Sequence, residues 1–421
     1  MINKSKLSIF LKSNYNLSKI ILCLSLLLVI LWGIVYSAIL GDQIRFRDEK
    51  HYLKIANNII KHSIYSYDDN AIVPTTFHPP GYPLILASIV SIGGGFFALR
   101  MVNFVCLACC IILLTAILKM HGYETGARWA PLIVLCYPVL FFTASTLYPQ
   151  IIATAIFLFI IYMIDTFLLS LKKAFIAGVL YGLLLMISPS FVLMCPVILA
   201  APYILRKSVP RLYLICLIIG VIVVLTPWVV RNYIVFDRFV LLSSNAGKTF
   251  ILGNSENSKP NEGESVDVSR YTNEIERQGL DEIDGDKYYK EKAFEWIKNN
   301  PKDAAMLYLR KLLNYFNFRN DLATRTEQSV LRDIVMFITY YAILLFALFR
   351  LCLIKKYPLQ RIEIFLIIVY LMSAVMNAFF LPRIRYRLPY DVLLICFSAI
   401  TLDYMKRHFS KNQSKVREND P

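Results

Sequence analysis

Between residues 231 and 330, the longest polar stretch of this chain, there is no cysteine. All nine cysteines fall in apolar runs, which argues against a disulfide framework in the polar stretch. Cys106, Cys109 and Cys110 stand close together, but on an apolar run with no histidine nearby they read as packing residues. Charge is also scarce where it would matter for transport. Asp165, Asp391 and Asp403 sit near the ends of apolar runs, whereas transporters and pumps need mid-membrane charges or matched broken helices. That scarcity argues against a transporter or flippase of lipid-linked saccharides, the alternative reading, and no Arg cluster in 231–330 suggests a polymerase or ligase.

What the chain does have is apolar length. Hydrophobic residues make up 57% of the sequence, mean hydropathy is +0.54, and several runs reach the roughly 20 residues that cross a bilayer. The expected class is an all-α polytopic membrane protein. The first run, "ILCLSLLLVILWGIVYSAIL", follows Lys4, Lys6, Lys12 and Lys19 and reads as an uncleaved signal anchor with its N-terminus inside.

Parity decides which of the later runs cross. "GYPLILASIVSIGGG" has about a dozen apolar residues, roughly 18 Å of helix against a core of about 30 Å. If it stays on the outer surface, the basic turns at Lys119–Arg128, Lys172–Lys173, "RKSVPR", "RLCLIKKYPLQR" and the tail "KRHFSKNQSKVR" all fall inside. The expectation is therefore about ten spans with both termini cytoplasmic. The expected organisation is an N-terminal membrane module 1–230 with a first outer loop 41–96, an outer-face domain 231–330, C-terminal spans 331–405 and a basic tail 406–421. The net charge of +16 is then mostly a topology signal, and nucleic acid is excluded as a partner. More than half of the 29 acidic residues lie in 231–330, balanced by nearly as many basic ones. There Tyr289, Ala293, Trp296 and Ile297 recur at helical spacing before an Asn-Asn-Pro stop, and "SENSKPNEGESVDVS" reads as a mobile loop.

Three clusters face outside. In "RDEKHYLKIANN", Asp48, Tyr52, Ile55 and Ile59 share one face of a helix lying along the membrane, with His51, Lys54, Asn58 and Lys61 in wetter directions. Asp48 falls in the first turn, where the helix dipole and Arg47 favour its carboxylate, suiting either a general base or an ordinary acidic helix start. Glu49 points about 100° away and has a different task. In "TTFHPPGYPLIL", Pro79 and Pro80 stiffen the chain around His78, a candidate for binding a phosphate, a metal or a sugar hydroxyl, or for capping the next turn. In "FFLPRIRYRLPYDVLL", Arg383, Arg385 and Arg387 alternate around Ile384 and Tyr386, so an extended turn would point all three guanidinium groups one way, toward a phosphate or pyrophosphate. Asp391, four residues after Arg387, would orient it if a helix begins at Pro389.

Taken together, "RDEKHYLKIANNII", "FHPPGYPLILASIVSIGG", "TPWVVRNYIVFDRFVLLSSNAGKTFILGN" and "RYRLPYDVLLICF" resemble the GT-C superfamily of membrane glycosyltransferases. Within it, the chain is similar to the family 39-like branch related to protein O-mannosyltransferases and aminoarabinose transferases. The resemblance implies a GT-C-like fold of about ten transmembrane helices, with juxtamembrane helices in the first outer loop and a small outer-face domain. It implies an inverting hexosyl- or pentosyltransferase of the bacterial cytoplasmic membrane. The donor would be a polyprenyl-phosphate-linked sugar and the acceptor an envelope protein, lipid or glycan. Asp48 is then the base, and Arg385 and Arg387, with Arg383, hold the lipid phosphate beside Glu49, His78 and Tyr386. No cofactor is certain, although a divalent cation would share the charge of the leaving phosphate. The chain departs from that pattern at Gln150, where many relatives carry an acid, and at Ser188 and Ser190 in "ISPSF", where many carry an arginine beside the proline.

Overall fold

The computed structural model describes residues 4–166, 170–206, 209–319 and 329–418. Residues 320–328 of the expected outer domain, Lys207 of the "RKSVPR" turn and the last three residues of the basic tail lie outside the described residues. Among the described residues the chain is helical throughout, with no strand.

The long apolar runs fold as α1 (Lys4–Leu40), α4 (Phe96–Met120), α10 (Arg211–Phe236), α15 (Val330–Cys352), α16 (Arg361–Phe379) and α17 (Ile384–Glu418). Each of these contains a stretch long and apolar enough to cross a membrane, six among the described residues. A seventh crossing is available if α5 (Glu124–Leu135) and α6 (Pro138–Ala144) act together, bent by 60°. The bend falls at Pro138, whose ring disfavours helical backbone at Tyr137. Between these lie α2 (Arg47–His62), α3 (Gly81–Ser91), α7 (Gln150–Asp165), α8 (Leu171–Ile187) and α9 (Cys195–Leu205), the last entered through a 3-10 turn at Pro189–Met194. These features are those of an α-helical polytopic membrane protein.

Burial separates the long helices. The apolar stretch of α17 is 89% buried, whereas those of α1, α10 and α15 are only 22% buried. Helix α17 is the central post, packed against α5, α7, α15 and α16, and the other three turn most of their surface outward. Helices α8 and α10 still approach closely, because glycines meet backbone where they cross. A Cβ on Gly178 would lie 2.0 Å from the Leu217 carbonyl oxygen, and one on Gly220 2.4 Å from that of Phe175.

The polar stretch after α10 forms α11 (Ala246–Gly253), α12 (Ser269–Gln278) and α13 (Glu282–Asn299) around a small core of Phe250, Ile251, Tyr271, Tyr289 and Ala293, followed by α14 (Pro301–Asn314), which packs on α16. Asp281 caps α13 by accepting from the Ile283 and Asp284 amides at 3.0 and 2.8 Å. The stretch "SENSKPNEGESVDVS" is non-helical until Ser269 but folds inward: Val266 is buried against Leu252 and Leu381.

Candidate functional site

Helix α2 begins where its sequence places acids against the helix dipole, and the two acids part company at once. Glu49, at the third helical position, is 3% exposed and accepts from the amides of Arg45 and Phe46 at 2.8 Å each and of Leu147 at 2.6 Å. It caps α2 and ties it to the chain before α7, outside the cavity described below. Asp48 points instead into that cavity. Its Oδ2 accepts from Arg385 Nη1 at 2.9 Å and from the Tyr148 hydroxyl at 3.3 Å. Burial pushes the Asp48 carboxyl up, but the Arg385 guanidinium beside it holds the group below the ordinary aspartate value.

His78 arrives from the connection between α2 and α3. Tyr65 donates its hydroxyl to the His78 carbonyl at 3.0 Å, and Arg231 donates to the carbonyl of Thr75 at 3.0 Å. Glu282, at the start of α13, accepts from Thr75 Oγ1 at 2.6 Å, from the Thr76 amide at 2.8 Å and from Ser244 Oγ at 2.5 Å. The start of α13 thus grips the segment that carries His78. Its imidazole is 5% exposed, and burial, opposed by Asp48, lowers its pKa to about 4. Nε2 lies 3.4 Å from Nδ1 of His51, whose pKa is also lowered, by burial and then by Arg47. Both rings are therefore uncharged at neutral pH, and Arg385 is the full positive charge that keeps Asp48 ionised.

The arginine turn differs from the extended form expected of it. Helix α17 begins at Ile384 rather than Pro389, so Pro389 sits inside it. Two residues along a helix turn the side chain by roughly 200°, which sends Arg385 and Arg387 to opposite sides. Arg383 and Arg385 line the cavity, and each has a buried Nε without a hydrogen-bond partner. Arg385 also donates to the Tyr386 hydroxyl at 2.9 Å, and Glu264 stands 3.9 Å away. Arg387 turns into the protein, pairs with Asp391 at 3.0 Å, donates to the Tyr315 and Asn317 carbonyls, and lies 3.8 Å over the Tyr340 ring.

The cavity has a volume of about 570 Å³. Asp48, His78, Arg383, Arg385 and Tyr386 line it; Glu49 and Arg387 do not. Gln150, Ser188 and Ser190, the positions where the sequence departs from the GT-C pattern, line it as well. The Gln150 Oε1 is buried without a partner, and the two serine hydroxyls lie 3.2 Å apart. The sequence reading had set His51 on the wet side of α2, and its three-residue spacing from Asp48 was the missed signal. Asn58, given a wet direction too, is buried and donates to the Ser66 and Asp68 carbonyls at 2.9 Å each. Tyr148 and Lys248 also face the cavity, and no spacing rule points to them.

Chemically, the cavity sets an ionised carboxylate, two neutral imidazoles and two guanidinium groups with unused donors around one space. That set suits an anion at the arginines and a hydroxyl or cation at Asp48 and the histidines. Comparison with protein-family models, with curated proteins and with solved structures gives no match for this chain.

Proposed function

We propose that the chain is an inverting glycosyltransferase that moves a sugar from a polyprenyl-phosphate carrier to an envelope acceptor at the outer face of a bacterial cytoplasmic membrane. The observation that carries the reading is the Asp48–Arg385 contact, 2.9 Å across 337 residues of sequence, at the wall of a cavity with unused guanidinium donors. The phosphate binds Arg385 and Arg383. Taking up that anion draws Arg385 from Asp48 and releases the carboxylate for the acceptor. The acceptor oxygen attacks the anomeric carbon, the bond from that carbon to the phosphate oxygen breaks, and the phosphate leaves with the electron pair. Asp48 takes the acceptor's proton. Because its pKa lies low, that transfer comes late, once the attacking oxygen has bonded to carbon and become acidic. The arginines stabilise the charge gathered on the leaving phosphate.

The same reading takes ten crossings: α1, α4, the bent α5–α6 pair, α7, α8, α9 together with its 3-10 entry as one apolar unit (Pro189–Leu205), α10, α15, α16 and α17, with α3 on the outer surface. Alternate crossing then puts the connections 41–95, 145–149, 237–329 and 380–383 and the turn at 188–190 on one side, and all five contribute residues to the cavity. Both termini lie inside.

The test is transfer of label from polyprenyl-phosphate sugars to cell-envelope acceptors by purified wild type and Asp48→Asn. Transfer by wild type that falls by about 10²–10⁴-fold in the variant is the expected result. Binding of the lipid donor without transfer by wild type would overturn it in favour of a lipid-handling protein.

A further inference from the structure

We propose that Asp48, His51 and His78 form a binding site for one divalent transition-metal cation, of the Zn²⁺ or Mn²⁺ class. One ligand atom from each of the three lies within 4.8 Å of the others. The two imidazole nitrogens, His51 Nδ1 and His78 Nε2, are 3.4 Å apart. That is about the edge of a coordination tetrahedron with metal–nitrogen bonds of about 2.1 Å. Asp48 and His51 share one face of the first turn of α2, and His78 comes from a segment anchored by Tyr65, Arg231 and Glu282. Two ligands from one helical turn and a third from a braced loop give a site whose geometry is set before the metal arrives.

The donor set selects the metal class. Two imidazoles with one carboxylate suit zinc, manganese, iron or cobalt over magnesium or calcium, which prefer oxygen. His51 is further oriented by Tyr67, whose ring stacks on it at 5.1 Å and 13°. Three protein ligands leave at least one coordination position open toward the cavity, as in sites that bind a substrate oxygen.

Arg385 is the built-in competitor. It and Tyr148 both contact Asp48 through Oδ2, so Oδ1 is the oxygen free to turn toward a metal. Cation binding and the Arg385 contact are then antagonistic at Asp48 unless an anion stands between them. The site shares Asp48 with the proposed transfer reaction, and its test reads metal binding rather than activity.

The experiment is equilibrium dialysis of tag-free, chelator-treated full-length protein in detergent against Zn²⁺, Mn²⁺ or Mg²⁺, with Co²⁺ absorption as a second reading of ligand type. Wild type is expected to bind about one Zn²⁺ or Mn²⁺ per chain far more tightly than Mg²⁺, and Co²⁺ to give bands of a nitrogen-containing site. His51→Gln, at a half-buried position and with a side chain of similar size, should weaken binding by at least roughly 100-fold, beyond the loss of an outer-shell partner. Arg385→Ala should tighten it severalfold, an effect general loosening of the fold would not produce. The proposal is overturned if wild type binds no cation, if His51→Gln binds as well as wild type, or if Arg385→Ala binds more weakly.

Discussion

Arg385 and Arg387 are two residues apart on one helix and live in different kinds of region. Arg387 and its partner Asp391 are each 2% exposed, and the guanidinium spends its donors on Asp391 and on two carbonyls of the chain after α14. Asp391 in turn accepts from Tyr137 at 2.7 Å. Arg385 is 25% exposed, keeps one buried donor unused, and holds an Asp48 that is 19% exposed. A satisfied, dry charge pair defines an arrangement of helices. A partly satisfied pair at a cavity wall holds interaction capacity in reserve. The comparison assigns structure to Arg387 and chemistry to Arg385.

Breaking the dry region should have the largest effect. Arg387→Met leaves Asp391 buried without its charge partner, a loss of about 3–5 kcal/mol that should collapse the yield of monodisperse, detergent-solubilised protein. Adding Asp391→Asn, which retains a group able to accept from Tyr137, should recover most of the yield. If the single variant melts like wild type, Arg387 does not belong to the structural region.

Breaking the wet region should leave the fold intact. Arg385→Ala should reduce the proposed sugar transfer by about 10²–10³-fold, the usual loss for one donor to developing charge. Melting should stay within about 1 kcal/mol of wild type, since a partly exposed ion pair contributes little. Equal losses of stability in the Arg385 and Arg387 variants would erase the distinction.

How much of this was legible in the sequence follows from the range of the rules used. Apolar runs and the short "GYPLILASIV" stretch give the helices because length against bilayer thickness is a local property: α3 has 11 residues. Asp48 and His78 were legible as candidates, since helix-start chemistry and the Pro79–Pro80 brace are local too. The arginine turn was misread because alternation was taken as extended chain. Helix α17 starts five residues before Pro389 because Arg387 reaches Asp391 at the helical i, i+4 spacing and is buried by distant elements. Tertiary burial overrode the local proline signal. Tyr148 and Glu282 were invisible for the same reason, as their partners lie 100 and about 206 positions away.

A third cation sharpens the comparison through pH. Lys311, on α14, is fully buried with no carboxylate paired to it among the described residues, and its side-chain nitrogen donates to the Gly253 carbonyl at 3.0 Å and to the Asn254 side chain and Phe380 carbonyl at 3.2 Å each. Burial lowers its pKa to about 7 from the 10.5 of an unburied lysine. Between those values the unfolded chain carries the proton and the native chain does not, so native stability rises with pH through that window, by at most about 1.4 kcal/mol per unit. Lys311→Met should flatten the change in melting temperature between pH 7.5 and 10. An unchanged slope would remove Lys311 as its source.

The smallest expected effect tests how α13 reaches the wet region. Glu282 is remote from the cavity chemistry, yet it accepts from Thr75, Thr76 and Ser244 and so fixes the segment two residues before His78. Glu282→Gln keeps the shape but gives up charge-assisted acceptance, about 1 kcal/mol on the bonds it retains. If α13 merely covers the site, the variant should melt slightly earlier and behave as wild type in every binding measurement. If it positions His78, cation affinity should fall by about 10-fold while Arg385-dependent phosphate binding is unchanged, because the arginines sit on α17 and do not depend on residues 75–78. Glu282→Asp, which preserves the charge on a shorter arm, should restore part of the cation affinity. A uniform loss of both binding functions would mean that α13 supports the cavity as a whole.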